Sequence, residues 1–406
     1  MNGICLCIDR LHAGFVGACG STWVQTPALD RVAADGFVLD QFHVDSLDVQ
    51  SLYRSYWFGR HALDRGGPEP SGNQALAALV REHGVRTVLA TDDPAVALLP
   101  GAEGFDERIL LPEPGKLERA RSVDATHLGR VFAQIIQKLE SLKCPFFLWC
   151  HLSSVGRVWD APWEMRSQYA EADDPDPPTE DEVPCRRLQE GEDPDLLLGI
   201  AQAYAGQMSL LDLCIGALID ALADARLDEE TALALVGLRG LALGEHGYIG
   251  PTDDRLDGEL VHVPLLIRVP DPATTSGRSQ ELVQPPDLYP TWLSLLTQHA
   301  LPAQLAAADL TSLIYDDVPF WRDRIGLSGR DGRRGLRTPA WYLTTGLTSE
   351  LFAKPDDRWE VNNVADRHGD VAEQLAATLG DYEAGVSSAR LDGLLPLGEV
   401  LRFGLS

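Results

Sequence analysis

An unbroken apolar run, Ile4-Cys5-Leu6-Cys7-Ile8, opens the chain and stops abruptly at Asp9-Arg10. Apolar residues without polar alternation, bounded by charge, predict a strand buried on both faces of a parallel sheet. The same texture recurs at Arg86–Ala90, at Pro145–His151 and at Ala232–Val236, and a further strand is predicted over Phe37–Val44. Between these strands the spacing changes to that of amphipathic helices. Leu29, Val32 and Ala33 share a face of a helix over Ala28–Gly36, which the glycine stops. Leu128, Val131, Phe132, Ile135, Ile136 and Leu139 form the stripe of a helix over Ala125–Leu142. Ile200, Tyr204, Met208, Leu211, Cys214, Ile215, Leu218 and Ile219 form that of a long helix over Leu196–Leu227. Strand and helix alternate, so the expected class is α/β, with a mainly parallel central sheet flanked by helices. In such sheets ligands sit at the carboxyl ends of the strands. Asp9 and Arg10 are therefore the first candidates for chemistry.

One stretch breaks the pattern. Trp163 to Asp195 is rich in Pro, Asp and Glu, with DDPDPPTEDE at its centre. Such a composition cannot build a core. A surface insertion over about 164–195 is expected, either a solvated loop or a lid for a partner.

Ile8 to Val44 carries Gly17, Gly20, Thr26-Pro27, Leu29-Asp30-Arg31 and Gly36 in one ungapped register. This resembles the opening of the sulfatase family, within the alkaline-phosphatase superfamily. Further matches follow in order: Thr87, Gly104-Phe105-Asp106, Leu211-Asp212 and Gly244-Glu245-His246-Gly247. Glu259 to Pro270 is similar to a family strand, and Val283 to Leu296 to a family helix entry. Gly335 to Asp366 resembles the small C-terminal sheet of sulfatases, closed by a helix over Val371–Tyr382. The resemblance implies a sulfatase-like α/β domain over 1–310. It also implies a C-terminal subdomain over 311–406, a small antiparallel sheet plus a helix.

The resemblance also implies a site, and there the chain departs from it. Active sulfatases hold a divalent cation with two N-terminal acids, a formylglycine and an Asp/His or Asp/Asn pair. Only Asp9 of that set remains, and Arg10 stands in the second acidic place. Ser46 to Leu63 occupies the place of the formylglycine signature. Aligning on Arg54 puts Gln50 at the nucleophile position, and aligning on Gly59-Arg60 puts Val49 there. Neither can become a formylglycine, and neither carries a hydroxyl or thiol. Asp92 and Pro94 stand where the family has the Lys and His that hold the sulfate. His151 is kept, but Val155 and Gly156 replace the Pro and second His that follow it. Leu238 and Arg239 replace the second ligand pair, while Glu245-His246 survives.

One carboxylate beside two guanidiniums is a poor Ca²⁺ or Mg²⁺ site, because arginine stays charged. No metal, no cofactor and no catalytic residue are therefore assigned. Arg10 or Arg239 is expected to supply the positive charge that the metal would have supplied, paired with Asp9. That arrangement is either a structural ion pair or a residual anion site. The candidate degenerate pocket is Asp9, Arg10, Gln50, Arg54, His151, Arg239 and His246. His151 and His246 are expected in structural roles, with His246 as an acid or base that has nothing to activate.

Composition adds three constraints. The net charge of −27 over 406 residues argues against nucleic acid and anionic membrane partners. The seven cysteines show no CxxC or Cys/His spacing, and most sit in apolar runs as packing residues do. The opening residues lack a signal-peptide pattern, and no apolar run reaches about 18 residues. A cytoplasmic protein is the expectation.

Two classes of function follow. The first is a sulfatase-like pseudoenzyme that binds an anion (sulfate, phosphate or a sulfated sugar), or that regulates or assembles with a protein partner or a second copy of itself. The second is a sulfuric or phosphoric ester hydrolase with a rearranged site, its nucleophile drawn from Ser51, Tyr53 or Ser55. A site completed across a dimer is a third arrangement.

Overall fold

The computed structural model describes residues 1–66, 71–114, 120–271, 276–298, 306–315 and 322–405. The central strands are β1 (Asn2–Asp9), β2 (Phe37–Phe42), β3 (Arg86–Thr91), β4 (Glu107–Leu110), β5 (Phe146–Leu152), β6 (Thr231–Arg239), β7 (Leu265–Arg268) and β8 (Gly277–Val283). Among the described residues these eight form one sheet in the order β8-β2-β7-β6-β1-β5-β3-β4. Only β7 runs antiparallel to its two neighbours; the other pairs are parallel.

β1 lies between β6 and β5, which explains its unbroken apolar run. Side chains alternate across a strand. Cys5 and Cys7 enter one core layer, and Ile4, Leu6 and Ile8 enter the other. The two thiols share a face, with sulfurs 3.8 Å apart.

The layer over Cys5 and Cys7 is covered by α2 (Val49–Phe58), α3 (Leu76–Glu82) and α6 (Leu288–Thr297). The opposite layer is covered by α1 (Pro27–Ala34), α4 (His127–Ser141) and α5 (Pro194–Asp224). Asp212 of α5 accepts from the backbone of Ala28 (3.1 Å) and Leu29 (2.9 Å), so one helix caps the other. α5 is long and apolar enough to cross a membrane by length and composition. Here it packs against the sheet, with Gln202, Gln207 and Asp212 buried along it.

Two sequence expectations change. Glu259–Pro270 is not one strand: Gly258–Val261 is a helical turn and only Leu265–Arg268 pairs. Pro264 separates them and has no N–H to give to a ladder. The acidic stretch is the irregular, largely exposed segment expected, and one residue anchors it. Arg166 is 2% exposed and donates to the carbonyls of Ala161 (3.0 Å), Pro178 (2.7 Å), Glu180 (3.0 Å) and Trp159. One buried guanidinium thus gathers a segment that has few apolar residues of its own. The predicted strand over Phe37–Val44 ends at Phe42, and His43 forms an isolated bridge with His262.

The second sheet is an antiparallel meander of β9 (Ile325–Ser328), β10 (Arg334–Arg337), β11 (Trp341–Thr345) and β12 (Glu350–Ala353). α7 (Gly369–Ser387) closes its apolar face with Val371, Leu375, Leu379 and Tyr382. Polar links tie this sheet to the larger one. Ser328 N donates to Asp45 O (2.8 Å), Gln284 Nε2 to Gly326 O (2.8 Å) and Gly258 N to Glu360 Oε2 (2.9 Å).

Candidate functional site

β1 and β6 run parallel, and their register slips by one residue at the carboxyl end: Ile8 pairs with Gly237, but Asp9 pairs with Arg239. This bulge skips Leu238, which stays buried in the core. It brings a carboxylate and a guanidinium side by side at the strand ends.

Arg239 grips Asp9 as a fork, Nε to Oδ1 at 2.9 Å and NH2 to Oδ2 at 2.6 Å. Its NH1 reaches the Leu47 carbonyl at 3.0 Å and Asp253 at 3.2 Å. Arg10 donates NH2 to Asp253 Oδ1 at 2.6 Å and NH1 to the carbonyls of Thr252 (3.0 Å) and Gly240 (3.4 Å). Arg330 adds a third guanidinium to Asp253 at 3.3 Å. Arg10 takes a left-handed backbone, φ +64°, and its stem passes over Gly156. A Cβ on Gly156 would lie 2.5 Å from Arg10 Cγ. The space beside Gly156, where the resemblance implies a second histidine, is therefore filled by Arg10, the residue that follows β1.

Electrostatics follow from this closure. Burial pushes the Asp9 carboxyl up, but the Arg239 guanidinium and its hydrogen bonds outweigh burial and hold it well below the usual range. Burial alone would lower Arg239; Asp9 more than reverses this and raises it. Burial lowers Arg10.

The remaining sequence candidates are not all brought here. His151 is the penultimate residue of β5, 1% exposed, and its Nδ1 bonds the Tyr53 hydroxyl at 2.7 Å. Burial lowers the histidine and raises the phenol well above its usual value. Arg54 donates to Asp64 O at 2.9 Å, and Gln50 is exposed on the first turn of α2. Asp48 caps that turn, accepting from Ser51 N and Ser51 Oγ, both at 2.8 Å. His246 belongs to a separate cluster: Nδ1 contacts Glu259 at 2.9 Å, which raises the ring to about 9. Asp92 is a structural tie, accepting from Ser153 N (2.7 Å) and Ser154 Oγ (2.8 Å).

Asp253 and Arg330 escaped the sequence reading. Asp253 lies in the loop Pro251-Thr252-Asp253-Asp254-Arg255, outside the matched motifs. Its one signal is a doubled aspartate directly after a glycine-punctuated strand.

The family's divalent cation does not fit this donor set. Both oxygens of Asp9 are engaged by Arg239, and the other carboxylate, Asp253, is shared by three guanidiniums. A hard cation needs several free oxygens. His246, Asp257 and Glu360 also cluster within ligand distance of one another. There, Lys354 pairs with Glu360 (2.9 Å), Arg255 with Asp257 (2.6 Å) and His246 with Glu259, so the charges already balance.

A sequence model of the sulfatase family matches residues 1–298. A search of curated protein sequences finds no match. Among solved structures, the phosphonate monoester hydrolase of Agrobacterium radiobacter is similar with a TM-score of 0.74 and 18% identity, over 97% of this chain and 96% of that one. BT4656, solved with its substrate D-glucosamine-2-N,6-O-disulfate, gives 0.77 and 16% over 97% and 99%. The phosphonate monoester hydrolase SpPMH from Silicibacter pomeroyi gives 0.76 and 16% over 96% of each. At these identities the likeness is one of fold.

Proposed function

The chain belongs to the sulfatase family, and from that premise we infer that it is a non-catalytic member, with a binding, regulatory or assembly role in place of ester hydrolysis. The observation that carries this reading is the Arg239 fork on Asp9. It occupies the carboxylate oxygens a cation would need, with a charge that repels one.

The three candidate nucleophiles are likewise committed or closed off. Ser55 is fully buried and donates to Asp45 Oδ2 at 2.6 Å. Ser51 is spent on the Asp48 cap. Tyr53 favours the second reading, a rearranged hydrolase, because it touches His151. Yet the phenol is 1% exposed, and burial raises it. A nucleophile needs a lowered pKa or an adjacent base, and a substrate must reach it; Tyr53 has His151 beside it, but its pKa is raised and it is closed off from a substrate.

The proposed ligand class is an anion: sulfate, phosphate or a sulfated sugar. A fold relative solved with a disulfated glucosamine supports that class. A protein partner or a second copy of the chain remains part of the proposal through the acidic segment gathered by Arg166. Turnover of 4-nitrophenyl sulfate, 4-nitrophenyl phosphate and an aryl phosphonate monoester tests the reading. The expected rate is that of buffer alone; turnover abolished by Tyr53→Phe would establish the rearranged hydrolase instead.

A further inference from the structure

A cleft of about 260 Å³ lies between the His43–His262 end of the central sheet and the C-terminal sheet. Asp9, Arg10, Arg239 and Asp253 do not line it. Arg337 does, at 7% exposure. Its NH1 donates to the carbonyls of Thr338 and Trp341. Among the described residues no carboxylate lies within ion-pair distance of it. The acids around the cleft are committed elsewhere: Asp40 to Arg278 (2.5 Å), Glu259 to His246 (2.9 Å) and Glu360 to Lys354 (2.9 Å). Burial accordingly holds the Arg337 guanidinium down, to about 10. The Glu360 carboxylate offsets this only in part and is itself paired with Lys354, so the buried charge is costly and an incoming oxyanion would relieve it.

The rim supplies the rest of a site. Arg358 sits 5.0 Å over the ring of Trp359, and Trp359 is 52% exposed, which leaves aromatic surface for a second ring. His262 donates Nε2–H to the Asp40 carbonyl at 2.6 Å. Burial lowers its ring to about 4, so the neutral ring keeps Nδ1 as an acceptor for a hydroxyl. The volume is just under the roughly 300–1,000 Å³ of clefts for drug-sized ligands, which suits a single ring.

We propose that this cleft binds a monosaccharide bearing one oxyanion, the oxyanion on Arg337 and Arg358 and the sugar ring on Trp359. The proposal deepens the anion-binding role above and rests on the non-catalytic reading only in that the bound sugar is retained unchanged. Calorimetry on the full chain tests it with glucuronate, N-acetylglucosamine 6-sulfate, glucose 6-phosphate, glucose and inorganic sulfate. These arms separate carboxylate, sulfate and phosphate as the oxyanion.

At least one charged sugar should bind about tenfold or more tightly than glucose, the value of a hydrogen-bonded charge. Arg337→Met should remove that advantage while leaving the melting temperature of the unliganded protein equal or higher. Arg358→Ala, at an exposed position, should weaken charged sugars several-fold and glucose little. Three results overturn the proposal: no charged sugar binding at millimolar concentration, equal affinity for glucose, or full affinity in Arg358→Ala. A lowered melting temperature in Arg337→Met would also overturn it, by making the guanidinium structural. Hydrolysis of the sugar sulfate would defeat the non-catalytic reading and leave the cleft standing.

Discussion

Arg239 and Asp9 form a pair in which each partner makes the other tolerable. Arg239→Met strips a buried carboxylate of its counter-charge, and the expected loss is about 3–5 kcal/mol in urea unfolding. Adding Asp9→Leu should recover most of it, because a buried ion pair can be replaced by apolar side chains at little cost. The pH dependence has a fixed sign. The folded Asp9 carboxyl lies below its unfolded value of about 3.9, so its stabilisation is complete above that pH and lost as pH falls further. The gap between wild type and Arg239→Met should therefore narrow below about pH 4. His246 runs the other way. Glu259 raises its ring to about 9, so this contact contributes fully below about pH 6.5 and is lost as pH rises through that raised value. NMR titration of His246 should give a midpoint near 9, and Glu259→Gln should return it toward the ordinary histidine range.

At the scale of elements, the strands and helices were legible where one physical rule dominated. β1, β5 and β6 are buried on both faces, and burial on both faces writes an unbroken apolar run. α4 and α5 lie against the sheet, and their stripes have helical period. The sequence pattern over-extends β7 because Glu259–Pro270 is mostly apolar while Pro264 divides it. The acidic segment is the irregular surface stretch its composition predicts, but composition averages away the one arginine that gathers it. Arg166→Ala should cost the buried carbonyls their donors and release this segment. Limited proteolysis should then cut within 168–192 faster than in wild type, with the core fragments intact. Equal cleavage of both would show that Arg166 does not hold it.

For the whole molecule, the candidate site was legible in what it lacks more than in what it contains. Arg10, Gln50, Leu238 and Arg239 standing at expected site positions pointed to exchanged chemistry. That Asp9 faces Arg239 required a bulge between β1 and β6, and no local pattern announces a bulge. Asp253 and Arg330 reach the centre from loops distant in sequence, so only the folded chain assembles them. The strand ends form a closed network of carboxylate and guanidinium, one that a divalent cation would have to break. Its most direct test is elemental analysis of the full chain, purified without chelator and equilibrated with Ca²⁺ and Mg²⁺. Far less than one metal equivalent per chain is the expected result; one equivalent, lost on Asp9→Asn, would contradict it.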